Sequence, residues 1–132
     1  MHRSHRPRGR DGFAGPPRRA AAAGVEWLEL HCAHGYLLSS FLSPLTNRRT
    51  DEYGGSHENR ARFPLEVFEA MRAVWPSDRP MSVRLSCHDW TDGGNVPADA
   101  AVFAAMFKEV GADLIDCSSG QVWKEERPIY GR

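Results

Sequence analysis

The feature that most constrains this chain is an ordered alternation of short strand-like runs with amphipathic helical segments. Residues 25–31 (VEWLELH) alternate, with Val25, Trp27, Glu29 and His31 on one face and Leu28 and Leu30 on the other, which predicts a strand. A long polar loop follows through FLSPLTNRRTDEYGGS. Phe63, Val67, Phe68, Met71, Val74 and Trp75 then recur at helical spacing, with Ser56 as a fitting N-cap. Pro64 inside that pattern predicts a kink, or a helix that begins near it. After an exit turn over residues 76–80, Met81, Val83 and Leu85 alternate with Ser82, Arg84 and Ser86 in a second strand. The loop HDWTDGGN leads to a helix opened by Pro97, striped by Val102, Phe103, Met106, Phe107 and Val110, and closed by Gly111. Residues 113–117 (DLIDC) read as a third strand, and Ser118, Ser119 and Gly120 turn the chain.

Strand–helix alternation predicts a parallel sheet with right-handed crossovers. Two folds share it, the (β/α)₈ barrel and the flavodoxin-like doubly wound sheet. No GxGxxG or GxxxxGK[ST] run favours a nucleotide-binding version. The long loops follow strands and the short ones follow helices, as when a site is built at the C-terminal ends of barrel strands. About three strands and two to three helices are expected here, whereas a full barrel takes ~250 residues. A barrel reading therefore makes this a partial one.

Charge is divided along the chain. Residues 1–23 carry six arginines against one aspartate, and residues 24–132 carry eleven basic against sixteen acidic side chains. The basic start is rich in Gly and Pro and lacks interleaved aromatics, so residues 1–19 are expected to form a poorly ordered lead-in rather than a nucleic-acid arm. RRAAAAG suggests the tail of a helix stopped by Gly24. No apolar run approaches the ~20 residues of a membrane-spanning helix, and neither a signal segment nor a membrane partner is expected. Cys32, Cys87 and Cys117 fit neither a disulfide framework nor a CxxC zinc site, and are expected to be reduced, partly buried thiols in a cytoplasmic protein.

Chemistry-bearing residues gather where the first strand ends, in His31-Cys32-Ala33-His34-Gly35-Tyr36. Gly35 lets the backbone turn so that His34 and Tyr36 can share a space with His31. Two imidazoles and a phenol offer hydrogen bonds to a developing oxyanion and a source of protons. Structural histidines bonded to neighbouring backbone are the alternative. His-x-x-His with Asp89 or Asp116 suggests a metal, although no third ligand is fixed by spacing, and Cys32 suggests a nucleophile. Arg84 lies opposite the apolar face of its strand, so it points to the barrel interior, where a guanidinium needs an anionic partner. That partner is either Glu29 or Asp116 on neighbouring strands, or an electron-rich cofactor. Arg48, Arg49, Asp51, Glu52, Arg60 and Arg62 read as a salt-bridged set that fixes the long loop.

HCAHGYLLSSFLSPLTNRRTDEYGGS followed by ENRARF, with VRLSCHDW and DLIDCSSG in order, resembles the old yellow enzyme family of FMN-dependent NAD(P)H oxidoreductases. LHCAHGYLLSSFLSPLTNRR and RPMSVRLS are most similar to the reductase-like part of salicylyl-CoA and anthraniloyl-CoA hydroxylating flavoproteins. The resemblance covers residues 20–132 and implies a central, internal segment of an FMN-binding (β/α)₈ barrel. It implies that His31 and His34 bind the carbonyl or phenolate oxygen of a small conjugated-carbonyl or aryl-CoA substrate. Tyr36 would supply the proton to the α-carbon, while hydride reaches the β-carbon from flavin reduced by NADH or NADPH. Arg84 would lie against the flavin's pyrimidine edge, its positive charge favouring the anionic reduced form. Two other functions compete: a catalytically incompetent truncated barrel or interaction module that self-associates through exposed barrel edges, and a metal-dependent hydrolase using His31 and His34.

Overall fold

The structure, a computed structural model, describes residues 10–129. Its elements run α1 (Arg10–Phe13), α2 (Gly15–Ala22), β1 (Leu28–Cys32), α3 (Leu37–Leu42), α4 (His57–Arg72), β2 (Met81–Ser86), α5 (Pro97–Glu109) and β3 (Leu114–Ser118). The strands form one parallel sheet in the order β1-β2-β3. Leu28 pairs with Met81 and Cys32 with Leu85, while Ser82 pairs with Leu114 and Ser86 with Ser118. β1 starts at Leu28 rather than at Val25. The Leu28 N–H bonds the carbonyl of Pro80, a residue with no N–H of its own to continue the ladder.

The sheet has two unlike faces. Leu30, Cys32, Met81, Val83 and Leu85 are buried beneath the helices, where Phe63, Val67, Phe68, Met71, Phe103 and Phe107 join them in one cluster. Phe68 of α4 and Phe107 of α5 meet edge to face, with ring centroids 5.7 Å apart. On the other face Trp27 and Leu114 are exposed. Parallel sheets are ordinarily covered on both sides.

Ser56 caps α4 by accepting the N–H of Asn59, as its sequence position predicts. Pro64 lies inside the helix, which begins well before it at His57. On α5, Phe103 and Phe107 are buried but Val102, expected in the same stripe, is 38% exposed. The expected lead-in is helical from Arg10 onward, and residues 1–9 lie outside the described residues. Pro16 and Pro17 suit the first turn of α2, Pro17 is buried, and Phe13 packs on the core, so this segment is anchored. Arg79 reinforces it by donating to the carbonyls of Ala21 and Val25. The cysteines are free but unequal: Cys32 is buried, Cys87 half-buried and Cys117 exposed. Cys117 sits on edge strand β3, whose helix-side flank is only partly covered.

The loop arginines depart from the expected salt-bridged set. Arg49 and Asp51 do form an ion pair. Arg48 instead donates to the Leu45 carbonyl and Arg62 to that of Glu52. Arg60 is buried, and it bonds the carbonyls of Leu42 and Gly55 and the Asn95 side chain. Asn95 donates to Leu42 as well, and the buried Asp89 accepts from Ser43 and from the Asn95 N–H. This network ties the end of α3 to the loop after β2. Replacing Arg60 by Met should cost about 3 kcal/mol in urea unfolding, at about 1 kcal/mol for each of three lost hydrogen bonds. Arg62→Met should change stability by less than about 0.5 kcal/mol.

Candidate active site

At the end of β1, alternation places His31 on the open face and Cys32 in the core. The chain then reverses through two left-handed residues, His34 (φ 60°) and Gly35 (φ 72°), closed by the Tyr36 N–H on the Ala33 carbonyl. A Cβ on Gly35 would lie 2.5 Å from the Gln121 carbonyl oxygen, so only glycine fits. His34 is held at both ends, its backbone N–H on Ser86 Oγ (2.9 Å) and its ring Nε2 on Ser118 Oγ. Tyr36 is the extended residue that precedes α3 and is 62% exposed.

The three expected rings do converge. His31 meets His34 edge on at 5.5 Å between centroids and Tyr36 at 5.1 Å. Desolvation, then the neighbouring His34 and Arg84, hold the His31 imidazole below its ordinary pKa of 6.5, while Glu29 opposes them. His31 is therefore neutral at pH 7, with one nitrogen to donate and one to accept.

Arg84 stands in the same row of the sheet, between His31 and Asp116. Its Nε lies 2.9 Å from a carboxylate oxygen of Glu29 and 2.9 Å from one of Asp116. Both ion pairs considered from sequence are thus present, although the N–H is aligned on neither oxygen. The side chain stays 41% exposed on the open face. Sequence reasoning missed Ser86 and Ser118 as the supports of His34. The signal was there: alternation puts Ser86 on the face of Arg84, and Ser118 opens the turn after β3.

Other candidates are not brought to this site. Asp89 is enclosed in the Arg60 network, and Asp116 is engaged with Arg84. Among the described residues no three His, Cys, Asp or Glu side chains come together to hold a metal ion, so a hydrolase built on His31 and His34 lacks its third ligand. Cys32 is fully buried and its thiol pKa is pushed well up by desolvation, the reverse of an activated nucleophile. A cavity of about 690 Å³ lies beside the β2–α5 loop and is lined in part by His88, Trp90, Asp92 and Arg127. It includes none of the three rings, which occupy an open surface.

A sequence model of the NADH:flavin oxidoreductase / NADH oxidase family matches residues 11–129. The chain belongs to that family. An NADPH dehydrogenase of Bacillus velezensis is 60% identical over 112 residues, covering 85% of this chain and 32% of the relative. The NADPH dehydrogenase of Bacillus subtilis is 56% identical over 102 residues, covering 77% and 30%. Among solved structures, a 2-naphthoyl-CoA reductase bound to 2-naphthoyl-CoA superposes with a TM-score of 0.81 at 34% identity, over 89% of this chain and 18% of that one. An old yellow enzyme homologue from Zymomonas mobilis gives 0.73 at 32% identity, over 89% and 34%. The chain therefore spans about a third of the curated relatives it matches, and its sheet is part of an old yellow enzyme (β/α)₈ barrel.

No helix among the described residues is long and apolar enough to cross a membrane. Gly35→Ala should cost about 2–3 kcal/mol, because it combines left-handed strain with a backbone clash. The loss should appear in urea unfolding, together with shifted NMR signals of His34 and Tyr36.

Proposed function

We propose that this chain forms the substrate-facing part of an FMN-dependent, NAD(P)H-driven reductase of conjugated carbonyl compounds. The observation that carries the reading is the convergence of His31, His34 and Tyr36 one strand away from Arg84 on the uncovered sheet face. The residues present suit a flavin. Arg84 Nε is buried between the Glu29 and Asp116 carboxylates, but the side chain is 41% exposed, a guanidinium carries four further N–H donors, and a flavin's pyrimidine edge offers carbonyl and ring-nitrogen acceptors. When bound, the flavin supplies the hydride chemistry. NADPH as the electron source follows the names of the Bacillus relatives.

The chain's own residues bind and move the proton. Neutral His31 and the tethered His34 donate hydrogen bonds to a carbonyl or phenolate oxygen, drawing electron density away from the conjugated alkene. Ser86 and Ser118 fix His34 so that little reorganisation accompanies this step. Tyr36, exposed beside His31, holds the proton delivered to the α-carbon. An aryl-CoA substrate is a second reading, favoured by the similarity to 2-naphthoyl-CoA reductase. Self-association through the outer edges of β1 and β3 belongs to the proposal too, since both strands end the sheet among the described residues.

The test is titration of the chain with FMN, read by flavin fluorescence and by the visible band near ~450 nm, where the cofactor's own chemistry reports. Binding should be weakened about tenfold by Arg84→Ala, equivalent to about 1.4 kcal/mol from a charge-assisted hydrogen bond. His31→Ala and His34→Ala should lower affinity for a phenolic ligand and spare flavin. A folded chain that leaves free FMN unchanged would overturn the reading and favour an incompetent barrel segment.

A further inference from the structure

Sequence reasoning gives Arg84 the role of a positive charge. The structure surrounds that charge with two negative ones. Glu29 reaches it from β1 and Asp116 from β3, each with an oxygen 2.9 Å from the same Nε. That N–H is aligned on neither oxygen. Glu29 is braced from its other side, because its second oxygen accepts from Ser82 Oγ at 2.9 Å. Ser82 in turn accepts from the Trp27 indole at 3.0 Å. The Trp27–Ser82–Glu29–Arg84–Asp116 chain therefore crosses all three strands on the open face. Its formal charge is −1.

We propose that Glu29 and Asp116 are electrostatic positioning residues: they hold Arg84 between them and over-neutralise it, so that its guanidinium stands on the open face without a net positive field. In its flavin consequence alone, this inference rests on the function proposed above. A surplus negative charge beside a flavin opposes its gain of electrons, the reverse of what an isolated arginine would do. It thereby makes the reduced flavin a stronger hydride donor.

The same charges act on His31, which requires no flavin. Facing that imidazole are Glu29 on its own strand, His34 and Tyr36 from the turn before α3, Arg84 from β2 and, one strand further, Asp116. Desolvation, then His34 and Arg84, disfavour its protonation, and Glu29 favours it. Glu29, Arg84 and Asp116 are 30%, 41% and 36% exposed, so salt should screen part of the effect.

NMR titration of the His31 ring in the 132-residue chain, without added cofactor, is the test. Glu29→Gln keeps the side chain's size and an acceptor oxygen but removes its charge. The His31 midpoint should then fall below that of the native chain, and the difference should shrink with added salt. Asp116→Asn, on the edge strand, should lower it in the same direction by less, and it serves if Glu29→Gln does not fold. Arg84→Met should raise the midpoint. A folded Glu29→Gln protein with an unshifted His31 midpoint would overturn the proposal, as would a shift that salt leaves unchanged. If FMN binds, Glu29→Gln should also raise the potential of the bound flavin. An unchanged or lowered potential would count against the proposal, whereas failure of the native chain to bind FMN would count only against the proposed function.

Discussion

The parallel register of β1, β2 and β3 is the constraint from which the rest follows. Pairing His31 with Arg84 and Arg84 with Asp116 puts an imidazole, a guanidinium and a carboxylate in one row. Side chains alternate across a strand, so a slip of one residue would send this row into the core and bring Leu30, Val83 and Ile115 onto the open face. The hydrophobic effect guards against that slip. Val83 is fully buried and Leu30 nearly so, with Phe68 and Phe107 packed in the same cluster. The apolar face thus determines where the polar face stands.

A second constraint is the turn that follows β1. His34 and Gly35 both adopt left-handed backbone, and the close approach of Gln121 at Gly35 ties this turn to the segment after β3. Ser86 and Ser118, at the ends of β2 and β3, then clamp His34. The ring therefore depends on all three strands being in register. The deeper Arg60, Asp89 and Asn95 network holds the far end of α3, the helix that Tyr36 precedes.

Much of this was legible in the sequence because it is local. Period-two alternation located the strands and the face each residue takes, and the Ser56 cap and Pro97 marked two helix starts. Gly35 pointed to the turn that gathers three rings. What escaped depended on partners far along the chain. Arg60 is separated from Asn95 by 35 residues, and nothing in its neighbourhood distinguishes it from the exposed Arg62. The start of β1 was misplaced because Pro80, 52 residues away from Leu28, decides where the ladder can begin. For Arg84, alternation offered Glu29 and Asp116 as alternatives, but only the three-strand register shows that both are engaged at once.

On the proposed function, the uncovered sheet face is a cofactor- and substrate-facing surface of a family barrel. Residue-resolved NMR of the chain during FMN addition examines that claim directly. Signal changes should be confined to the strip defined by Trp27, His31, His34, Arg84 and Ser118, with the helix-side residues Val67, Phe68 and Phe107 unmoved. Changes centred instead on Trp90 and Asp92, at the large cavity beside the β2–α5 loop, would contradict it.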